Sequence, residues 1–292
     1  MSTGTRIQRQ VDNLRREGRN VTRGTVVSPL VETLMRLGFV VRGLIYIVMG
    51  VLAVQVATSR NGTLSDPQGA IATLGRTQLG DVLLYAILVG LIGYALWGFV
   101  RGLFDPLHKG SDLEGLAARA GYLLSGIYYA FLALATYGLI TGGAAAARNG
   151  SSTAQTQQLT ATIFTYSWGP LAVGIAGVIL TAAGLIQFVQ GLRNDFERQF
   201  DAYALDAYQR KWMDRLGRFG TAARGVVFTM LGLFLFLAAY RHDPSQAQGI
   251  DGVLTTLLHQ PYGPWLLGVV ALGLVAFGAY SAIGGTLLRF KR

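Results

Sequence analysis

Arg36-Leu37-Gly38-Phe39-Val40-Val41-Arg42-Gly43-Leu44-Ile45-Tyr46-Ile47-Val48-Met49-Gly50 opens a long apolar run, and its pattern is written into the chain three times. The second copy carries Arg119, Gly121, Ser125, Gly126, Tyr129 and Ala133 at the same spacing. The third carries Arg218, Gly220, Arg224, Gly225, Phe228 and Gly232. Each copy is followed by a second apolar run that begins at Gly80, Gly169 or Gly263 and has a matching glycine at Gly93, Gly184 or Gly278. Self-similarity of this kind marks a structural repeat. The unit is a pair of apolar helices, a helical hairpin.

Six runs, near 37–57, 82–104, 120–140, 169–192, 219–239 and 264–288, are long enough to cross a hydrocarbon core of about 30 Å. Of the 292 residues, 51% are hydrophobic and 14% charged, whereas a soluble chain carries about 25% charged residues. The 39 glycines suit close helix contact in lipid. The fold class is therefore all-α: a polytopic membrane protein with six transmembrane helices in three tandem hairpins. Repeats that all start from one side are parallel and fit a pseudo-threefold axis along the membrane normal. The chain divides into a basic N-terminal segment, 1–35, and repeats at 36–110, 111–217 and 218–292. The middle repeat ends in an amphipathic segment, 193–217.

The net charge of +10 is distributed by side. Twenty-one of the 25 basic residues fall in 1–36, 101–119, 193–224 and 289–292 or at Arg42. The opposite side has Arg60, Arg76, Arg148 and Arg241. The positive-inside rule then places both termini in the cytoplasm. This distribution accounts for the charge without nucleic acid. The partners expected are the bilayer, anionic lipids on the cytoplasmic side, and a further membrane protein or a second copy of the chain.

The pattern Arg-x-Gly-x-x-x-Arg-Gly-x-x-Tyr-x-x-x-Gly, followed by Gly93-Tyr94-Ala95-Leu96-Trp97 and Asp105-Pro106, resembles the bacterial family labelled domain of unknown function 1206. The resemblance spans about residues 34–290 and implies three two-helix repeats. It implies no reaction. Ser125 departs from the family pattern, which has arginine there.

Gly43, Gly50, Gly126, Gly225 and Gly232 read as a packing motif that lets a neighbouring backbone come close. Tyr46, Tyr129 and Phe228 pack above that contact. Arg36, Arg119 and Arg218 mark the span boundaries. Arg42 and Arg224 lie about 9 Å deeper, at about 1.5 Å per residue. A long side chain reaches back from that depth, so both are expected to snorkel to the headgroups. The other reading points Arg42, Ser125 and Arg224 at a shared axis, where they form a partly basic ring for a lipid phosphate or small anion. These six positions are the candidate anion or headgroup contacts.

Chemistry beyond binding has few footholds. The absence of cysteine removes thiolate metal sites and cysteine nucleophiles. His108, His242 and His259 stand outside the spans without a helically spaced partner, which argues against haem. No catalytic residue, metal ligand or cofactor is assigned, and no enzyme is expected. No span holds an acidic residue, which disfavours proton or cation coupling.

Outside the spans, Ile7, Val11 and Leu14 sit at helical spacing among arginines, so 1–35 reads as an interfacial helix or as a solvated basic tail. The aromatic and charged segment 193–218 reads as a cytoplasmic helix extending the fourth span. Short helices are expected at 68–74 and 250–258, and a longer loop at 141–166. Trp168, Tyr262 and Trp265 suit an aromatic belt.

Two functional classes fit. One is a non-enzymatic structural or accessory subunit that packs in a larger complex or organises lipid. The other is a small anion or lipid channel or carrier that uses the axis between the hairpins. Topology can be checked directly. Reporter fusions after residues 60, 150 and 245 should read outside, and fusions after 110, 205 and 292 inside. A reversed result at 150 contradicts the three-hairpin topology.

Overall fold

The computed structural model describes residues 29–59, 63–105, 110, 112–142, 152–193 and 206–287. These form nine α-helices and one 3-10 turn: α1 Pro29–Ser59, α2 Pro67–Gly75, α3 Gly80–Phe104, α4 Leu113–Thr141, α5 Ser152–Phe164, α6 Gly169–Leu192, α7 Ala207–Arg241, α8 Ile250–Leu258 and α9 Gly263–Leu287. The turn, Pro244–Gln246, lies between α7 and α8. Six of the helices, α1, α3, α4, α6, α7 and α9, are long and apolar enough to cross a membrane. The chain is thus an all-α polytopic membrane protein of three repeats, as its periodicity predicts. The even number of spans puts both ends of the described chain on one face, called here the terminal face. The short helices α2, α5 and α8 cover the other, capped face.

Packing across repeats is closer than packing within them. The largest interfaces join α6 to α7, α9 to α1 and α3 to α4. Each pairs the second helix of one repeat with the first helix of the next in cyclic order. The reason is the glycine motif. A Cβ on Gly43 would stand 2.5 Å from the Gly278 carbonyl oxygen, and one on Gly225 would stand 2.8 Å from that of Gly184. On Gly126 it would lie 3.1 Å from the carbonyl oxygen of Ala95. Ala95, not Gly93, is therefore the counterpart of Gly184 and Gly278. Gly50 and Gly232 extend two of these seams, against Ala271 and Gly177. Backbones this close gain dispersion contacts that lipid cannot match.

Within repeats, α1 packs on α3 and α7 packs on α9. The middle repeat departs from this: α4 and α6 share no comparable interface, although they are consecutive spans. The six spans therefore form a pseudo-threefold ring with one open seam. Local sequence accounts for it. Gly90 and Gly273 admit Val41 and Ala223, whose side-chain atoms come within 2.4 and 2.1 Å of a Cβ built there. At the equivalent positions the middle repeat has Ile179 and Leu124. Two branched side chains replace a glycine and a smaller residue, so the backbones cannot approach.

The capped face is held by polar contacts that span repeats. Asp251 Oδ1 accepts from Ser152 Oγ at 2.7 Å, Thr153 N at 3.0 Å and Thr153 Oγ1 at 2.9 Å, tying α8 to α5. Gln155 Nε2 donates to Gln68 Oε1 at 3.0 Å, tying α5 to α2. Asp66 caps α2 by accepting from Gly69 N at 2.7 Å. Burial, and then the nearby Asp251, raise its carboxyl above the ordinary range. The three second-helix glycines follow from this cap. A Cβ at Gly80, Gly169 or Gly263 would sit 2.0, 1.9 or 1.8 Å from the carbonyl oxygen of Gly75, Ile163 or Leu258.

Two expectations change. The segment 141–166 is not all loop, because Ser152–Phe164 forms α5, a third cap helix that its Gln-rich sequence concealed. The helix expected to extend the fourth span belongs to the fifth. Helix α6 ends at Leu192, and Asp206 with Gln209 starts α7 through a capping box. The interfacial helix considered for 1–35 falls largely outside the described residues, as do residues 194–205 and His108.

The seams can be tested by substitution. Gly43→Leu and Gly225→Leu should each destabilise the bundle by about 1–3 kcal/mol through overpacking. Gly121→Leu should be near neutral, because a Cβ there meets nothing within 4 Å. Thermal unfolding in detergent reads the difference, and equal losses at all three sites contradict the seam assignment.

Candidate anion site

Three arginines converge near the bundle axis, toward the terminal face. Arg42 on α1 has its guanidinium carbon 4.7 Å from the centroid of Phe277, 5.4 Å from Tyr94 and 5.8 Å from Phe39. Arg224 on α7 stands 4.6 Å from Phe228, 4.9 Å from Phe277 and 5.9 Å from Tyr46. Arg101 on α3 stands 4.4 Å from Tyr122, 5.4 Å from Trp97 and 6.0 Å from Tyr94. Phe277 is thus shared by Arg42 and Arg224, and Tyr94 by Arg42 and Arg101. The Tyr94 hydroxyl accepts a hydrogen bond from Arg42 Nη1.

The rings pack edge to face or tilted. Phe39 meets Tyr94 at 5.1 Å, Tyr46 meets Phe277 at 4.9 Å, and Tyr94 meets Tyr129 at 4.4 Å. These positions follow from the repeat. Gly38 lies against the Cβ of Tyr94 and Gly220 against the backbone of Phe277, so the two rings are equivalents across repeats. The middle repeat places Ala183 there and Ser125 where the others have arginine. It therefore lacks both the ring and the cation.

The outward snorkelling expected of Arg42 and Arg224 does not occur. Both turn inward, because aromatic faces supply an attractive alternative to headgroups. A desolvated cation–π contact contributes about 2 kcal/mol or more. Two guanidiniums 4.7 and 4.9 Å from one ring centroid are at most about 10 Å apart and repel by roughly 1.7 kcal/mol or more at an effective dielectric near 20. The cage therefore offsets the repulsion but does not neutralise the charge. None of the three arginines has a carboxylate partner among the described residues. The ion pair at this end of the bundle, Arg218 with Asp214 at 3.9 Å, lies on the extension of α7. The Nε atoms of Arg42, Arg101 and Arg224 are buried without a hydrogen-bond acceptor. Three cations with spare donors and no counter-charge among the described residues have the chemistry with which an anion would pair.

The remaining candidates divide. Arg119 donates through Nε to the Gly102 carbonyl at 2.9 Å and through Nη2 to that of Leu103 at 3.0 Å. Arg218 reaches the Leu192 carbonyl at 2.9 Å. Both close the C-terminus of the preceding span and its unpaired carbonyls. Arg36 holds the corresponding place in the first repeat, its carbonyl facing Gly285. Ser125 is half-buried and adds no charge. Arg101 escaped the sequence reading because it was counted as a boundary charge. Its signal is helical spacing, four residues after Trp97 and seven after Tyr94.

The cavity between Arg42, Tyr46, Tyr128, Tyr129 and Pro67 measures about 10 Å³, space for about one water. No group of His, Cys, Asp or Glu among the described residues is arranged to hold a metal.

Fold and site together define a helical membrane protein of three repeats with a cationic, aromatic-lined centre. A family model described as Domain of Unknown Function (DUF1206) matches residues 37–105, 120–194 and 219–287, one segment per repeat, and the chain belongs to that family. It is 31% identical over 258 residues to the Uncharacterized protein YxxB of Bacillus subtilis (strain 168), covering 88% of this chain and 91% of that one. No solved structure matches.

The shared ring makes one test direct. Tyr94→Phe removes the hydroxyl that accepts from Arg42 while keeping the aromatic face. It should cost about 1–3 kcal/mol, since the cation loses its acceptor. Tyr137→Phe, at a residue 55% exposed on α4, should be silent. Thermal unfolding in detergent distinguishes them.

Proposed function

We propose that this protein is a non-enzymatic accessory component of the bacterial cytoplasmic membrane that organises anionic lipid, with both termini in the cytoplasm. The observation that carries this reading is the arginine cluster, which has no carboxylate partner among the described residues. Three caged cations near the terminal face suit a phosphate drawn in from the inner leaflet, where anionic lipids lie. The basic segments that flank the spans support the same orientation.

A second reading, a carrier for a small anion, draws on the convergence of Arg42 and Arg224 on one axis. Native mass spectrometry and liposome flux separate the two. The expected result is that wild-type protein retains anionic phospholipid and passes no phosphate. The Arg42→Gln/Arg224→Gln variant should retain roughly tenfold less lipid, because a charge-assisted hydrogen bond contributes about 1.5–3 kcal/mol. Phosphate flux that disappears in this variant would establish the carrier instead.

A further inference from the structure

We propose that the open seam between α4 and α6 holds an acyl chain of one anionic phospholipid, whose phosphate sits against Arg42 and Arg224. The proposal rests on the lipid-organising reading and gives it a place. Equivalent positions in the three repeats show what the seam lacks. Val41 and Ile45 in the first repeat are 4% and 2% exposed, and Ala223 and Val227 in the third are 7% and 2% exposed. Their counterparts Leu124 and Tyr128 are 65% and 43% exposed. A Cβ on Gly38 or Gly220 would meet the neighbouring span within 3 Å, while one on Gly121 meets nothing within 4 Å. A face that is buried twice is left uncovered once.

The seam leads to the cations. Tyr128 is exposed on α4 and also lines the cavity beside Arg42, Tyr46 and Tyr129. The occupant must therefore join an apolar length to an anionic end. A phospholipid has both. A partner helix fits less well, because Ile179 and Leu124 stand where the closed seams have small residues, and helix packing in lipid relies on small residues. An acyl chain is slimmer than a helix and fills the gap those side chains leave. Its phosphate oxygens would accept from guanidinium donors, among them the Nε groups, that no group among the described residues satisfies.

The test uses the full chain in nanodiscs of phosphatidylcholine doped with phosphatidylglycerol, with retained lipid counted by native mass spectrometry. Gly121→Trp and Ala183→Trp fill the seam from its two sides. Gly121 meets nothing and Ala183 is half-buried, so wild-type melting temperatures should accompany the substitutions. The expected result is one phosphatidylglycerol per wild-type chain, reduced roughly tenfold in each tryptophan variant, with added inorganic phosphate failing to displace it. Displacement by inorganic phosphate would make the ligand a free anion and overturn the lipid. Wild-type lipid retention in both tryptophan variants would overturn the seam as its place. A dimer of wild-type chains that the tryptophan variants dissociate would make the occupant a second copy and overturn the proposal. Arg42→Gln/Arg224→Gln is the arm that judges the underlying reading. If it loses lipid while the tryptophan variants do not, only the seam fails. If it keeps its lipid, the lipid-organising reading itself fails.

Discussion

Close backbone contact at the cross-repeat glycines is the constraint on which this molecule depends. Gly43 against Gly278, Gly225 against Gly184 and Gly126 against Ala95 set how near the helices of neighbouring repeats lie. In lipid no hydrophobic force draws apolar helices together, so association rests on dispersion contacts that only small residues allow. The same contacts fix which side chains look inward. Tyr46, Tyr129 and Phe228 stand three residues past the seam glycines and reach the axis or its rim, where the aromatic cage assembles. Without the seams there is no cage, and without the cage the arginines would have no reason to leave the headgroup region.

The cage is an electrostatic compromise. Three guanidiniums share rings rather than carboxylates, and they retain buried donors that nothing in the described protein satisfies. Ring faces attract cations without supplying charge, so the site remains positive. That is a poor solution for stability, and it is the arrangement on which the proposed anionic lipid rests. The terminal-face arginines Arg119 and Arg218 differ in kind. They spend their donors on the carbonyls that end the preceding spans. Position along the helix, not residue type, separates the two classes.

The middle repeat breaks the symmetry at several points that act together. Ser125 removes a cation, Ala183 removes a ring, and Ile179 with Leu124 prevents the close approach seen in the other two repeats. Each change alone would be a local variation. Combined, they leave α4 and α6 joined through the capped face but unpaired in the membrane layer. The cap compensates, since Asp251, Ser152, Thr153, Gln155 and Gln68 tie all three repeats together there.

Span number and the threefold repeat were legible in the chain because they depend on local properties: apolar length, punctuation and spacing. The glycine seams were legible as a motif for the same reason, but their partners were not. Gly93 looked like the counterpart of Gly184 and Gly278, and only the packing shows that Ala95 holds that place. The direction of Arg42 and Arg224 was also beyond the sequence. Snorkelling and inward stacking use the same residues at the same depth, and the choice turns on Phe277, more than 50 residues from either arginine. Arg101 joins the cluster through Tyr94 and Tyr122, on two different spans. The open seam is a contact that did not form, and its cause lies in residues such as Ile179 and Leu124, whose equivalents in the other repeats pack together only across helices. Local chemistry determined that the chain crosses the membrane six times in three repeats. Long-range packing decided which faces close, which stays open, and where the charges point.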